Sequence, residues 1–170
     1  MTMKAKSTLD ILKEAILLER RGKAFYTNAA ANTSSEAAKK IFTMMAEEEE
    51  EHINFLSDQF TNFSLNKYFK ANVAPENNTD DEIARKVLSA NVVKQITAAS
   101  YEAAAISAAI DFETRAINVY TESVAVATDV NEKEMYTMLA NWEKTHHLWL
   151  HQIDEILKES IWYDHRFWAF

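Results

Sequence analysis

MMAEEEEEHINFL, Met44 to Leu56, is the stretch on which the reading of this chain turns. Five consecutive glutamates on a helix normally make a solvated face. Here apolar residues bracket them at helical spacing: Phe42 and Met45 before, Leu56 after. Steps of three and four keep a set of side chains on one face. Glu49 and His52 fall on that apolar face. Glu47, Glu48, Glu50 and Glu51 fall on its flanks and are expected to face solvent.

The rest of the chain supports a helical reading. The 170 residues include one glycine, Gly22, and one proline, Pro75. Strands and tight turns need more of both. The length suits one domain, 1–170, with a substantial core. Ser7 or Thr8 can cap a first helix over about 8–31, and Ser34 or Ser35 a second over about 36–60. NVAPENNTDDE, 72–82, is the strongest loop signal. A helical pattern then covers about 82–128, and after the turn ATDVNE a last helix covers about 132–158. Two short loops around one long crossover between helices 2 and 3 give the connection pattern of an all-α, ferritin-like four-helix bundle. Residues 159–170 form an aromatic tail, whose IWYDHRFWAF is expected to pack on an apolar surface of the bundle or of a partner.

The net charge of −8 argues against nucleic acid as a partner. No apolar run approaches a membrane span, and MTMKAKSTLD is not a hydrophobic signal segment. The chain has no cysteine, which removes disulfides, thiolate metal sites and thiol catalysis from its own repertoire. These features fit a cytoplasmic protein.

The apolar seams of the other helices carry acids too. The first runs Leu9, Leu12, Ile16, Glu19, Gly22, Tyr26, Ala29. The third runs Ile106, Ile110, Glu113, Ala116, Tyr120, Val124. The fourth runs Tyr136, Leu139, Glu143, His146, Leu150, Ile153, Leu157. The two halves match at an offset of 94 residues, which superposes Glu19 on Glu113, Tyr26 on Tyr120, Glu49 on Glu143 and His52 on His146. A single Glu-x-x-His on a helix says little. Its recurrence with a partner glutamate 30 residues upstream, in both halves, says much more.

The chemistry explains these residue types. A buried carboxylate is costly unless it is paired or bound to metal. Two divalent cations balance four carboxylates, and two neutral imidazoles complete the set without adding charge. One Glu from each of two helices and Glu-x-x-His from the other two is the known pattern of ferritin-like di-metal proteins. The candidate metal ligands are therefore Glu19, Glu49, His52, Glu113, Glu143 and His146. Tyr26 and Tyr120, two turns beyond their glutamates on the same face, read as core tyrosines near the site, with hydrogen bonding to the ligands or radical trapping as the alternatives. Gly22 and Ala116 allow either close helix packing or room for a small oxidant. His151 and His165 read as surface or packing residues. Glu102 lies about 16 Å along the axis from Glu113, too far to join the site, and is expected to be exposed if the third helix passes the bundle end.

By AILLERRGKAFYTNAA, MMAEEEEEHINFL, AAIDFETRAINVY and LANWEKTHHLWL the chain resembles the rubrerythrin-like branch of the ferritin-like superfamily. The resemblance covers most of 8–170 and is weakest over 62–98. It implies a non-haem di-iron centre on those six ligands, with manganese or a mixed pair as variants. The implied activity is an oxidoreductase reducing peroxide or dioxygen, the alternative being a non-enzymatic iron-handling protein. An external electron donor is implied, because rubrerythrins pass electrons through a cysteine-bound iron domain. A homodimer is the expected assembly. Rubrerythrins also tend to carry an extra carboxylate three residues after the third-helix glutamate. Ala116 stands there, which puts redox-linked ligand exchange in doubt.

Overall fold

The computed structural model describes residues 7–71, 96 and 101–163. They form four helices and, among the described residues, no strand: α1 (Thr8–Asn32), α2 (Glu36–Asn66), α3 (Tyr101–Val126) and α4 (Val130–Tyr163). Residues 82–95 and 97–100 of the expected third helix, His165 and most of the aromatic tail lie outside the described residues.

The caps follow the expected chemistry. Ser7 closes a capping box with Asp10, and the Ser35 side chain accepts from Ala38 N. Asp129 accepts from Glu132 N at 3.0 Å at the start of α4. Each bond satisfies an amide that has no partner within its helix. Two helix ends lie beyond the expected positions. α2 continues past Phe60 to Asn66, because Asn62 is buried and Phe60 and Phe63 still pack on the core. It stops at Lys67, whose φ of 62° is left-handed. The segment after it folds back: the Gln59 side chain bonds Lys70 through both its ends, and Asn62 donates to Tyr68 O at 2.7 Å. α4 runs on to Tyr163, so the first residues assigned to the tail are its last turns.

Two apolar cores stack along the bundle. One contains Tyr26, Ala29, Ile41, Phe42, Met45, Ile106, Ala109, Leu150 and Ile153. The other contains Leu12, Ala15, Leu56, Ala116, Tyr120, Tyr136 and Leu139. Burial of each large side chain here contributes roughly 1.5–3 kcal/mol. α1 and α4 run from the second core to the first, and α2 and α3 from the first to the second. Neighbours α2 and α3 in sequence are thus parallel in space, the topology that calls for a long connection between them.

Glu102 departs from expectation. It is 4% exposed, and its carboxylate accepts from Thr33 Oγ1 and, at 3.2 Å, from Ser34 N. The α1–α2 loop wraps onto the start of α3 and caps itself with this acid.

Candidate metal centre

Between the two apolar cores lies a layer of buried ionisable groups. Each helix delivers its part at the level where the seam switches from apolar to acidic: Glu19 from α1, Glu49 and His52 from α2, Glu113 from α3, Glu143 and His146 from α4. None of the six is more than 4% exposed. The structure thus brings all six expected residues to one place.

They form two overlapping groups. Glu49, Glu113, Glu143 and His146 offer ligand atoms within 4.8 Å of one another, and so do Glu19, Glu49 and His52. Glu49 belongs to both. Glu143 also spans the layer, with Oε1 3.1 Å from His52 Nδ1 and Oε2 3.5 Å from His146 Nδ1. Both imidazoles therefore turn Nδ1 inward. His52 Nδ1 is 3.0 Å from Glu19 Oε2, and the two rings lie 5.5 Å apart.

The proton inventory shows what burial does to this cluster. Burial, and next the charge of Glu143, push Glu19 and Glu49 well above the ordinary carboxylate range. Burial and Glu143 act on Glu113 in the same way. Burial would raise Glu143 too, but the charge of His52 and the close approach of both imidazole nitrogens outweigh it, and its carboxyl falls well below the usual range. Burial lowers His146, yet the Glu143 carboxylate beside it and its bond to Glu48 outweigh that and raise it. Four like charges at one level cannot coexist, so three of these acids favour the proton.

The donor atoms also lack partners. Among the described residues, Glu19 Oε1, both oxygens of Glu49 and of Glu143, Glu113 Oε2 and His146 Nδ1 are buried without a hydrogen-bond partner. Native proteins leave few such atoms. Here they converge on one layer, and an oxygen-rich set with two imidazoles fits divalent iron or manganese.

Tyr26 donates its hydroxyl to Glu113 Oε1. Its repeat counterpart Tyr120 has a buried hydroxyl with no partner among the described residues, its ring stacked with Tyr136 at 6.4 Å. Gly22 resolves in favour of close packing. A Cβ there would stand 2.8 Å from Phe112 Cε1 and 2.9 Å from Glu49 Oε1. His147 and His151 pair edge to face on the partly exposed side of α4, away from the centre.

One residue escaped the sequence reading. Glu48, expected in solvent, hydrogen-bonds His146 Nε2. Its side chain is only 19% exposed. A one-face seam could not reveal it, because position 48 points across to α4 rather than down the bundle axis. Beside it a cavity of about 20 Å³ opens between Trp142 and Trp149 against both histidine rings.

A four-helix bundle with a buried carboxylate from every helix and a histidine from two of them defines the ferritin-like class of metal proteins. The family model described as Rubrerythrin matches residues 10–154. The chain belongs to the rubrerythrin family. No curated protein and no solved structure gives a significant match. Among the described residues no helix is long and apolar enough to cross a membrane.

Proposed function

We propose that Glu19, Glu49, His52, Glu113, Glu143 and His146 hold two iron ions, and that the centre reduces a small oxidant, peroxide or dioxygen. The observation that carries this reading is the set of buried, partnerless donor atoms converging from four helices. When bound, an iron pair supplies the electrons for cleaving an O–O bond.

The protein's own groups do the rest. Glu49 and Glu143 would serve both halves of the centre, since each lies near donors of both groups. Glu19 and Glu113 serve one side each. The imidazoles present Nδ1 as neutral donors. Tyr26 fixes the Glu113 carboxylate through its hydroxyl. The apolar layers above and below exclude water and strengthen every charge interaction in the layer. The cavity beside the histidines, about 20 Å³, has room for a molecule of water's size. Electrons come from an external donor, and a homodimer is the proposed assembly.

Ala116 supports a second reading. It is 1% exposed and fills the position where rubrerythrins tend to place a further carboxylate. A centre limited to six ligands suits iron handling without sustained turnover. The discriminating experiment loads the protein with Fe(II) anaerobically and adds peroxide with a chemical reductant. Catalytic peroxide consumption above that of free iron supports the oxidoreductase. Iron uptake without consumption replaces it with the iron-handling reading.

A further inference from the structure

The 94-residue repeat relates Glu49 to Glu143 and His52 to His146, and it also relates Glu48 to Trp142. In space these two residues play matching parts. Each precedes a cluster glutamate, and each meets the imidazole contributed by the opposite Glu-x-x-His helix. Trp142 stacks its indole on His52, with ring centroids 4.7 Å apart and 9° between planes. Glu48 instead hydrogen-bonds the Nε2 of His146. One imidazole is held by a face, the other by a directed bond at its outer nitrogen.

That difference has a chemical consequence. A ring that presents Nδ1 to a metal must carry its proton on Nε2. A carboxylate at Nε2 accepts that proton in a hydrogen bond, fixes the tautomer and the ring plane, and makes Nδ1 a better donor. Stacking limits the tilt of a ring but selects no tautomer. The geometry of the site supports the assignment further. His146 Nδ1 is buried, lacks a partner, and points to the side where Glu113 and Glu143 lie 3.9 and 3.5 Å away. Glu48 itself lines the small cavity, with its side chain 19% exposed.

We infer that Glu48 is a positioning residue that orients His146 for metal binding, and that it makes the His146 half of the centre the tighter of two unequal metal subsites. The inference rests on the metal-binding reading above. It concerns the order and strength of loading, which the six ligands alone do not distinguish.

The test is an anaerobic Co(II) titration followed by visible absorption and calorimetry, on wild type, Glu48→Ala, Glu48→Gln and the exposed control Glu47→Ala. Wild type and Glu47→Ala should bind in two resolved steps. Glu48→Ala should weaken the tighter step by about 10- to 100-fold, bringing the two steps together. Glu48→Gln, whose amide oxygen still accepts from Nε2–H, should recover most of that loss. Nitrogen-15 NMR of the Zn(II)-loaded wild type provides a readout that needs no variant to fold. It should show one histidine Nε2 proton shifted downfield and slow to exchange. Unchanged steps in Glu48→Ala, equal losses in Ala and Gln, or no such proton would overturn the role of Glu48. Failure of wild type to bind Co(II) at all would instead remove the metal-binding reading beneath it.

Discussion

The α1–α2 and α3–α4 hairpins carry the same motif in the same register, yet they treat it differently. The first half places Gly22 beside its glutamates, where the second has Ala116. The first has Tyr26 bonded to the Glu113 carboxylate, where the second has Tyr120 with a free hydroxyl. The first sends Glu48 to the outer nitrogen of His146, where the second lays Trp142 on His52. The repeat therefore conserves the six groups that meet in the centre and varies the groups that support them. Under the proposed metal pair, a symmetric ligand set inside an asymmetric frame would make the two positions inequivalent.

The largest expected effect comes from filling both positions at once. Without cations the buried acids must hold protons or repel, whereas bound metal stabilises the fold by mass action. At a free metal concentration a thousandfold above Kd the gain is about 4 kcal/mol. For a domain of this size that corresponds to a rise in Tm on the order of 10 °C. Anaerobic melts with and without Fe(II) measure it, and equal Tm values at saturating metal would break the idea of a buried site.

Gly22 and Ala116 give the next effect. Gly22→Ala drives a methyl group against Phe112 and the Glu49 carboxylate. Overpacking costs about 1–3 kcal/mol, partly offset by about 1 kcal/mol of helix propensity. Ala116→Gly should also lose about 1 kcal/mol, from propensity and a lost methyl contact. The two differ in metal affinity: it should fall in Gly22→Ala and hold in Ala116→Gly. Melting curves and metal titrations on the pair would show whether only the first half crowds its ligands.

The acidity of the cluster sets a pH dependence for the metal-free protein. Glu19, Glu49 and Glu113 are raised by burial and by Glu143, so the folded state holds their protons more tightly than the unfolded chain does. Their contribution is present below the unfolded carboxylate value, near 4.5, and is lost as pH rises through the folded values. His146, also raised, loses its contribution as pH rises from its unfolded value, near 6.5. Glu143 is depressed and acts oppositely, losing its contribution only as pH falls below about 4.5. Metal-free Tm should therefore decline from pH 5.5 to pH 8. Metal-loaded protein should not follow that decline, because its carboxylates are ionised and paired with cations.

The tyrosines give the smallest contrast. Tyr26→Phe removes a hydrogen bond to Glu113 and should cost about 1 kcal/mol. Tyr120→Phe removes a hydroxyl that has no partner and should be neutral or slightly stabilising. Denaturant melts of the two metal-free variants decide this, and equal losses would show that both tyrosines support their acids.

The parts of this molecule legible in its sequence are those with a period. Glu49 and His52 declared themselves by sharing a face with Phe42, Met45 and Leu56. Ser7 or Thr8, and Ser34 or Ser35, marked helix starts by their capping chemistry, and Ser7 and Ser35 are the caps. What stayed hidden depends on contacts between distant segments. Glu48 looked like one more solvated acid because its partner lies 98 residues away on α4. Glu102 looked exposed because the loop that buries it belongs to the other end of the sequence. The end of α2 was placed early because TNFSLN, 61–66, is rich in the weak helix formers Thr, Asn and Ser, and only the packing of Phe63 and Asn62 decides that the helix continues.

The central claim, that six side chains on four helices bind a metal pair, is tested most directly by counting the metal. Protein loaded with Fe(II) under anaerobic conditions, freed of excess metal and measured by elemental analysis should carry about two ions per chain, as four carboxylates balanced by divalent cations require. Glu49→Ala and Glu143→Ala remove the two residues near donors of both groups and should retain less than half of that. A wild type that holds no stoichiometric metal, or variants that hold as much as wild type, would contradict the assignment.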